Sequence, residues 1–148
     1  MKVFHSHGTK ERLFEMMKRV SNLNEQLLPF QKKDEILNNF VEFAIKKLDL
    51  ENDSPNVVVS HKDNDAEEMK SFGKFFPDTN EIKVVGTNRN LADVLRTIAH
   101  EIVHYKQNKE GKLNQNSGET GSAEENEANA LAGVLMREFG KMHPEIFE

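Results

Sequence analysis

The sequence predicts an α+β fold, and three observations support this prediction. Apolar residues recur at helical spacing in residues 1–50 and again in residues 91–140. Between these parts, residues 57–85 contain short runs of β-branched and aromatic residues separated by turn residues, which is typical of a small sheet. A chain of 148 residues is long enough to bury one core, so residues 1–148 are expected to form a single domain.

Residues 1–50 are expected to form two helices. Thr9 is a candidate N-cap for the first helix, and Pro29 is expected to break it because proline lacks the backbone N–H. Asp34 is expected to cap the second helix. The apolar residues of the two predicted helices are Leu13, Met16, Met17, Val20, Leu23 and Leu27, and then Ile36, Leu37, Phe40, Val41, Ala44 and Leu48.

Residues 57–85 are expected to form the small sheet, which starts with a buried strand at 57–60. The polar residues 63–70 are predicted to form a loop. Residues 71–76 and 81–85 are predicted to be two strands that a Pro-Asp-Thr-Asn turn joins into a hairpin. Three aromatic side chains of this region are expected in the core, namely Phe72, Phe75 and Phe76.

The helix predicted for residues 91–108 carries the motif His-Glu-Ile-Val-His. It begins after the candidate N-cap Asn90, and its apolar stripe comprises Leu91, Val94, Leu95, Ile98, Ile102 and Tyr105. On the opposite face, His100 and His104 lie one turn apart, so both imidazoles can bind one metal ion from the same side. Glu101 can reach a water on that metal. This H-E-x-x-H arrangement of two ligands and a general base is typical of zinc metallopeptidases.

A third metal ligand is expected from another element, because catalytic zinc usually has three protein ligands. Since the chain has no Cys, this ligand must be His or a carboxylate. Ser122 and Glu125 have capping-box spacing at the start of a second helix, and Gly140 fits its end. Glu124 and Glu125 both border the inward side of this helix, so either is a candidate ligand. Three small residues predict a close approach of the two helices: Ala128, Ala132 and Gly133.

The motif His-Glu-Ile-Val-His, followed by Glu-Asn-Glu-Ala-Asn at 125–129, resembles the gluzincin branch of metallopeptidases. It is similar to the soluble ImmA/IrrE-type peptidases, which act in phage and mobile-element regulation and in stress response. The resemblance implies a zincin-like fold in which Glu125 is the third ligand and Asn129 orients a zinc-bound histidine. In zincins an edge strand of the sheet pairs with the substrate backbone, and the resemblance implies this role for a strand such as 81–85.

The expected function is that of a zinc-dependent metallopeptidase, a hydrolase with Glu101 as the general base. The expected ligands of Zn²⁺ are His100, His104 and Glu125. His143, just after the second helix, is a candidate to stabilise the oxyanion, whereas Tyr105 is expected to have a packing role. Two other classes stay open: a zinc-bound, non-catalytic binding or regulatory protein on a zincin scaffold, and a metal-free interaction protein.

Composition narrows the expected partners and compartment. The net charge of −5 and the pI near 5.7 argue against nucleic acid as the partner, which leaves a peptide or protein substrate. No apolar run reaches the length of a membrane span, and no signal-peptide pattern follows Met1, so a cytoplasmic protein is expected. Abundant Lys and Asn without Trp are typical of an A/T-rich genome, as in many phages. For a phage-encoded protein the compartment is the host cytoplasm.

Overall fold

The structure is a computed structural model that describes residues 3–5, 24–62, 65–112 and 121–147. These residues form the α+β arrangement that the sequence predicts, and no helix among them is long and apolar enough to cross a membrane. In chain order, the elements are β1 (Val3–His5), α1 (Asn24–Lys47), β2 (Asn56–Ser60), α2 (Asp65–Met69), β3 (Gly73–Phe76), β4 (Glu81–Val85), α3 (Leu91–Lys109), α4 (Ala123–Met142) and a 3₁₀ helix (Pro144–Phe147).

The strands form one mixed sheet in the order β1-β2-β4-β3. Strands β1, β2 and β4 run parallel, and β3 pairs antiparallel with β4 through the turn at residues 77–80. The predicted buried strand and the predicted hairpin are therefore confirmed. Alternate side chains of β2 and β4 enter the core, and those exposed by no more than 1% are Val57, Val59, Ile82 and Val84.

The position of β4 corrects the expectation for the strand at 81–85. This strand lies inside the sheet, with β2 on one side and β3 on the other, so it has no free edge for a substrate. Among the described residues, the edge strand that contacts α3 is β3. The hairpin is a local pattern, whereas the parallel pairing of β2 with β4 is a long-range contact that no local signal specifies.

Helix α3 packs on the sheet, and α4 packs along α3. The predicted stripe of α3 faces the core, and its side chains exposed by no more than 5% are Val94, Leu95, Ile98, Ile102 and Tyr105. On α4, Ala128 and Ala132 are buried, and their small side chains let the helix backbones lie close together. Gly133 does not take part in this approach, because a Cβ atom there would meet no atom within 4 Å.

Helix α1 corrects two expectations for the N-terminal part. It continues through both Pro29 and Asp34, so Pro29 does not end a helix and Asp34 does not cap one. Pro29 is only the sixth residue of α1, so its missing N–H removes about one intrahelical hydrogen bond. The side chain of Asp34 is buried, and so are the apolar residues predicted for the second helix. Most of the first predicted helix falls in residues 6–23, outside the described residues.

Three further features differ from the sequence-based expectations. The segment 63–70 contains the short helix α2. Phe72 is 54% exposed and is not a core residue, because its ring lies over the guanidinium of Arg89 at 4.4 Å from the ring centroid. Helix α4 continues beyond Gly140, and the ring of Phe147 packs where a side chain on Gly140 would lie. The glycine therefore serves packing and does not stop the helix.

Candidate metal centre

Helix α3 presents its two motif histidines to the first turn of α4. The helix starts as predicted, since Asn90 Oδ1 accepts the backbone N–H of Asp93 at 2.9 Å. The apolar stripe fixes one face of α3 in the core, and the opposite face therefore carries His100 and His104. Their side chains are 19% and 13% exposed, so both are largely covered without being sealed from solvent.

At the start of α4, the backbone and the side chain of Glu125 have different partners. Ser122 is the N-cap, and its Oγ accepts the backbone N–H of Glu125 at 3.1 Å. The carboxylate of Glu125 contacts His100 and His104. The backbone of Glu125 thus serves the helix cap while its side chain joins the histidines.

Three residues form what we term the ligand triangle, which consists of His100 Nε2, His104 Nε2 and the Glu125 carboxylate. The two nitrogens are 3.1 Å apart, and Glu125 Oε1 and Oε2 lie 3.0 Å from His100 Nε2 and His104 Nε2, respectively. Tetrahedral ligand atoms at 2.0–2.1 Å from zinc lie about 3.3 Å from one another. The donor types and their spacing therefore fit a metal ion of this size.

The geometry also distinguishes the two candidate glutamates. In the described part of the chain, the ligand triangle is the group of His, Cys, Asp or Glu side chains that could hold a metal ion, and it includes Glu125 but not Glu124. Glu124 instead contributes its backbone carbonyl, which accepts a hydrogen bond from Gln107 Nε2 at 2.9 Å. Glu124 is therefore a neighbour of the triangle.

Glu101 lies in a buried position beneath β3. Glu101 is 9% exposed, and burial raises the pKa of its carboxyl to about 7. The charge of His104 lowers this pKa, and the charge of Glu125 raises it. A Cβ atom at Gly73 would lie 3.1 Å from Glu101 Cγ and 2.5 Å from Thr97 Cγ2. Only glycine therefore allows β3 to pass this close to α3. An isolated glycine in a predicted strand is a known sign of such an approach.

An amide side chain contacts each histidine of the triangle. The side chain of Asn129, one turn after Glu125 on α4, hydrogen-bonds to His100. Gln107, three residues after His104 on α3, lies 2.8 Å from His104 Nδ1. Sequence reasoning missed Gln107, although its spacing from His104 places the two on one helix face. Burial lowers the pKa of His100, although the charge of Glu125 raises it. Burial therefore favours the neutral imidazole, which is the form that binds metal.

The structure does not bring His143 to the triangle, which corrects its candidate role at the oxyanion. Glu125 lies in the first turn of α4 and His143 caps the last, and a helix of 20 residues is about 30 Å long. The ring of His143 stacks on Phe139 with centroids 4.5 Å apart, and its Nδ1 lies 3.3 Å from Glu145 Oε1. His143 therefore closes the far end of the helix.

Tyr105 has the packing role that the sequence predicts. Its ring is fully buried and meets Phe75 edge-on at 5.4 Å, and its hydroxyl donates to Asp53 Oδ1 at 3.0 Å. Lys109 Nζ lies 2.9 Å from Asp53 Oδ2. We term Asp53, Tyr105 and Lys109 the Asp53 cluster. It ties the C-terminal end of α3 to the turn before β2.

Arg89, which the sequence did not single out, joins the end of β4 to α3. Its Nη1 donates to the Val85 carbonyl at 3.0 Å, and its Nη2 donates to Thr97 Oγ1 at 2.7 Å and to the Asp93 carbonyl at 3.2 Å. Because Thr97 also borders Gly73, this network holds α3 against β3 beside Glu101. No local pattern in the sequence predicts these contacts, since they depend on the fold.

Comparison with known proteins gives one family. Residues 52–139 match the Peptidase_M78 family, described as the IrrE N-terminal-like domain. The match spans the sheet from β2 onwards, α3 and most of α4, and so includes the ligand triangle and Glu101. No curated protein and no solved structure shows a significant match. Because the matched residues are more than half of the chain, the protein belongs to the Peptidase_M78 family of IrrE N-terminal-like, ImmA/IrrE-type domains.

Proposed function

We propose that this protein is a zinc-dependent peptidase in which the ligand triangle holds Zn²⁺ and Glu101 is the general base. The observation that carries the proposal is the triangle itself, with a buried carboxylate one residue after its first histidine. Membership in a peptidase family supports hydrolysis of peptide bonds as the reaction. The ligand side chains are 13–22% exposed, so the site is protected while still open to a substrate.

The donor set favours zinc among the common metal ions. Two imidazole nitrogens with one carboxylate are typical of catalytic zinc, whereas Mg²⁺ and Ca²⁺ prefer sites made of oxygen ligands. The chain has no Cys that could supply a thiolate. When bound, zinc supplies a Lewis acid that lowers the pKa of its water and polarises the carbonyl of the bond to be cleaved.

Glu101 carries the proton in the proposed reaction. Its carboxylate accepts a proton from the attacking water and later gives that proton to the nitrogen of the leaving amine. The carboxyl is screened from bulk solvent, and Gly73 leaves room for it beneath β3. Asn129 and Gln107 hold the two imidazoles in position while these steps occur.

Strand β3 is the element that we propose for binding the substrate backbone. In the part of the chain that the structure describes, it pairs with β4 on one side only, so backbone groups on its other side can pair with an added peptide strand. At Gly73 it passes next to Glu101, which brings a peptide paired with β3 close to the base. Strand β3 thus takes the role first expected for residues 81–85.

The proposal also includes the domain organisation, the partner and the compartment of the protein. In this proposal residues 1–148 belong to one zincin-like domain, in which α3 is the active-site helix and α4 is the helix that carries the third ligand. The partner is a peptide or protein substrate in the cytoplasm, which is the host cytoplasm for a phage-encoded protein. The net charge of −5 disfavours nucleic acid as an alternative partner.

Metal analysis and a cleavage assay on the same preparation test the proposal. The purified protein is expected to hold about one zinc ion per chain and to cleave members of a peptide library. Glu101→Gln should retain zinc while hydrolysis falls by about 10²–10⁴-fold, because the general base is lost. His100→Ala should lose both zinc and hydrolysis.

Three outcomes separate the proposal from its alternatives. Full hydrolysis by Glu101→Gln would contradict the proposed base. Stoichiometric zinc with no cleavage of any peptide or protein would favour a zinc-bound, non-catalytic binding or regulatory protein. A wild-type chain that takes up no zinc would contradict the metal site and favour a metal-free interaction protein.

A further inference from the structure

Gln107 is a buried amide that uses all of its hydrogen-bonding groups between α3 and α4. It is 1% exposed and lies three residues after His104. Its Oε1 is 2.8 Å from His104 Nδ1. Its Nε2 donates to the Glu124 carbonyl at 2.9 Å and to Glu127 Oε1 at 2.9 Å. One side chain thus contacts a histidine of the ligand triangle and two residues in the first two turns of α4.

The partners of Gln107 fix the orientation of its amide. A backbone carbonyl and a carboxylate only accept hydrogen bonds, so the NH₂ group must face Glu124 and Glu127. The opposite orientation would place Oε1 against two oxygen atoms and leave it without a donor. Oε1 therefore faces His104 Nδ1, and this nitrogen must carry a hydrogen to complete the bond.

This tautomer matters because Glu125 favours the other one in the metal-free protein. Glu125 Oε2 lies 3.0 Å from His104 Nε2 and is a good acceptor for a hydrogen on that nitrogen. With the hydrogen on Nε2, His104 could not bind a metal until it lost that proton. Gln107 opposes this arrangement, because its Oε1 cannot donate to an unprotonated Nδ1.

We propose that Gln107 is a positioning residue that keeps the hydrogen of neutral His104 on Nδ1, so that Nε2 stays available to metal. The same amide ties the backbone of Glu124 to α3 and thereby places the adjacent Glu125 opposite the histidines. The inference rests on the proposed zinc site. It assigns to one side chain both the tautomer of one ligand and the position of another.

Long-range ¹H–¹⁵N spectra of the metal-free full chain test the tautomer directly. They are recorded at alkaline pH, so that one proton remains on the ring, and the His104 signals are assigned by comparison with His104→Gln. We expect the shift of a protonated nitrogen for Nδ1 and of an unprotonated nitrogen for Nε2. A predominant Nε2–H tautomer in the wild-type protein would overturn the inference.

Two variants of Gln107 separate its acceptor from its donors. Gln107→Glu keeps an acceptor for His104 Nδ1–H, so the Nδ1–H tautomer should persist. Gln107→Met removes the acceptor, so Nε2–H should become populated and zinc affinity should fall by about 10–100-fold. Lys106→Met places the same new side chain one position earlier on α3 and should leave both properties unchanged.

Zinc affinity is measured by competition with a chelator, after circular dichroism has confirmed that each variant is folded. Wild-type zinc affinity in folded Gln107→Met would overturn the inference. If that variant does not fold, the spectra of the wild type and of Gln107→Glu still decide it, because loss of Nδ1–H in either contradicts the proposed role. A wild-type chain with the Nδ1–H tautomer and no zinc affinity would contradict the proposed function and leave the tautomer assignment standing.

Discussion

Helix α3 carries two polar clusters that have similar contact distances but different surroundings. The ligand triangle and the Asp53 cluster both contain polar atoms 2.9–3.1 Å apart. The side chains of the triangle are 13–22% exposed, whereas Lys109 and Asp53 are 34% and 58% exposed. The two clusters therefore differ mainly in their access to water.

The pKa shifts show what this difference does. Burial is the largest cause at His100, where it lowers the pKa, and at Glu101, where it raises the pKa. At Asp53 the largest cause is the hydrogen bond with Lys109, which lowers the pKa. Burial thus disfavours the charged forms of His100 and Glu101, whereas the partners of Asp53 favour its charged form. A neutral histidine can bind a metal ion, whereas Asp53 and Lys109 already form an ion pair with each other.

The largest expected effect comes from removing the third member of the triangle. Glu125→Ala should lower zinc affinity by more than about 100-fold, since it removes a side chain that we propose as a direct ligand. Zinc per chain after dialysis, measured by mass spectrometry, and chelator competition report this loss. Glu124→Ala is the matched control one residue away and should retain zinc. Equal zinc retention by the two variants would contradict the assignment of Glu125.

The next effect concerns the buried carboxyl of Glu101 in metal-free protein. Its pKa rises from 4.5 in the unfolded chain to about 7 in the folded chain, so the folded state holds the proton more tightly. The associated stability is complete below the unfolded pKa and is lost as pH rises through 7. Glu101→Gln should therefore gain about 3 kcal/mol relative to wild type between about pH 4 and about pH 8.

Urea unfolding of both proteins in the presence of a chelator measures this difference. The wild type should lose stability between the two pH values, and Glu101→Gln should lose less. A stability difference that does not change with pH would show that Glu101 titrates like an exposed carboxyl.

A smaller effect is expected where β3 meets α3. Gly73→Ala forces a Cβ atom against Thr97 and Glu101, and overpacking of this kind costs about 1–3 kcal/mol. Gly133→Ala is the matched control, because a Cβ atom there meets open space and alanine favours a helix by about 1 kcal/mol. Urea unfolding should thus give opposite signs for the two variants. A Gly73→Ala variant as stable as the wild type would contradict the close approach at Gly73, and a destabilised Gly133→Ala would contradict the open space at Gly133.

The smallest effect is expected in the Asp53 cluster, because exposed ion pairs contribute little. Hydrogen bonds from Lys109 and Tyr105 hold the pKa of Asp53 below its usual value of 3.8, so its contribution exists above that pH and is lost as pH falls through the folded-state pKa. Asp53→Asn should lower the melting temperature slightly at neutral pH and less in acid or high salt. A loss of stability larger than the one from Gly73→Ala would contradict the small contribution expected of this exposed ion pair.

The sequence predicts the two histidines and Glu101 well because their pattern is local. His100, Glu101 and His104 follow from helical spacing alone, and Ser122 marks the start of the helix that carries Glu125. Spacing left Glu124 and Glu125 equivalent, and the resemblance to a family separated them. Gln107 was within reach of the same helical reasoning but has no motif that marks it.

The parts that the sequence predicts poorly depend on distant contacts. Strand pairing places β3 at the edge of the sheet and 81–85 inside it. The exposure of Phe72 depends on Arg89, which lies beyond the hairpin in sequence. Pro29 shows that a residue that usually breaks helices is tolerated near a helix start.

The position of β1 at the far edge of the sheet has a consequence for the order of folding. Val3 pairs with Val57, so this contact closes a loop of about 50 residues, whereas the β3–β4 hairpin closes a short turn. Contacts that close long loops form slowly, so the hairpin and α3 should assemble before β1 docks. Amide protons of β1 should accordingly exchange with solvent before those of β4. The peptidase family match, which covers residues 52–139, begins after β1.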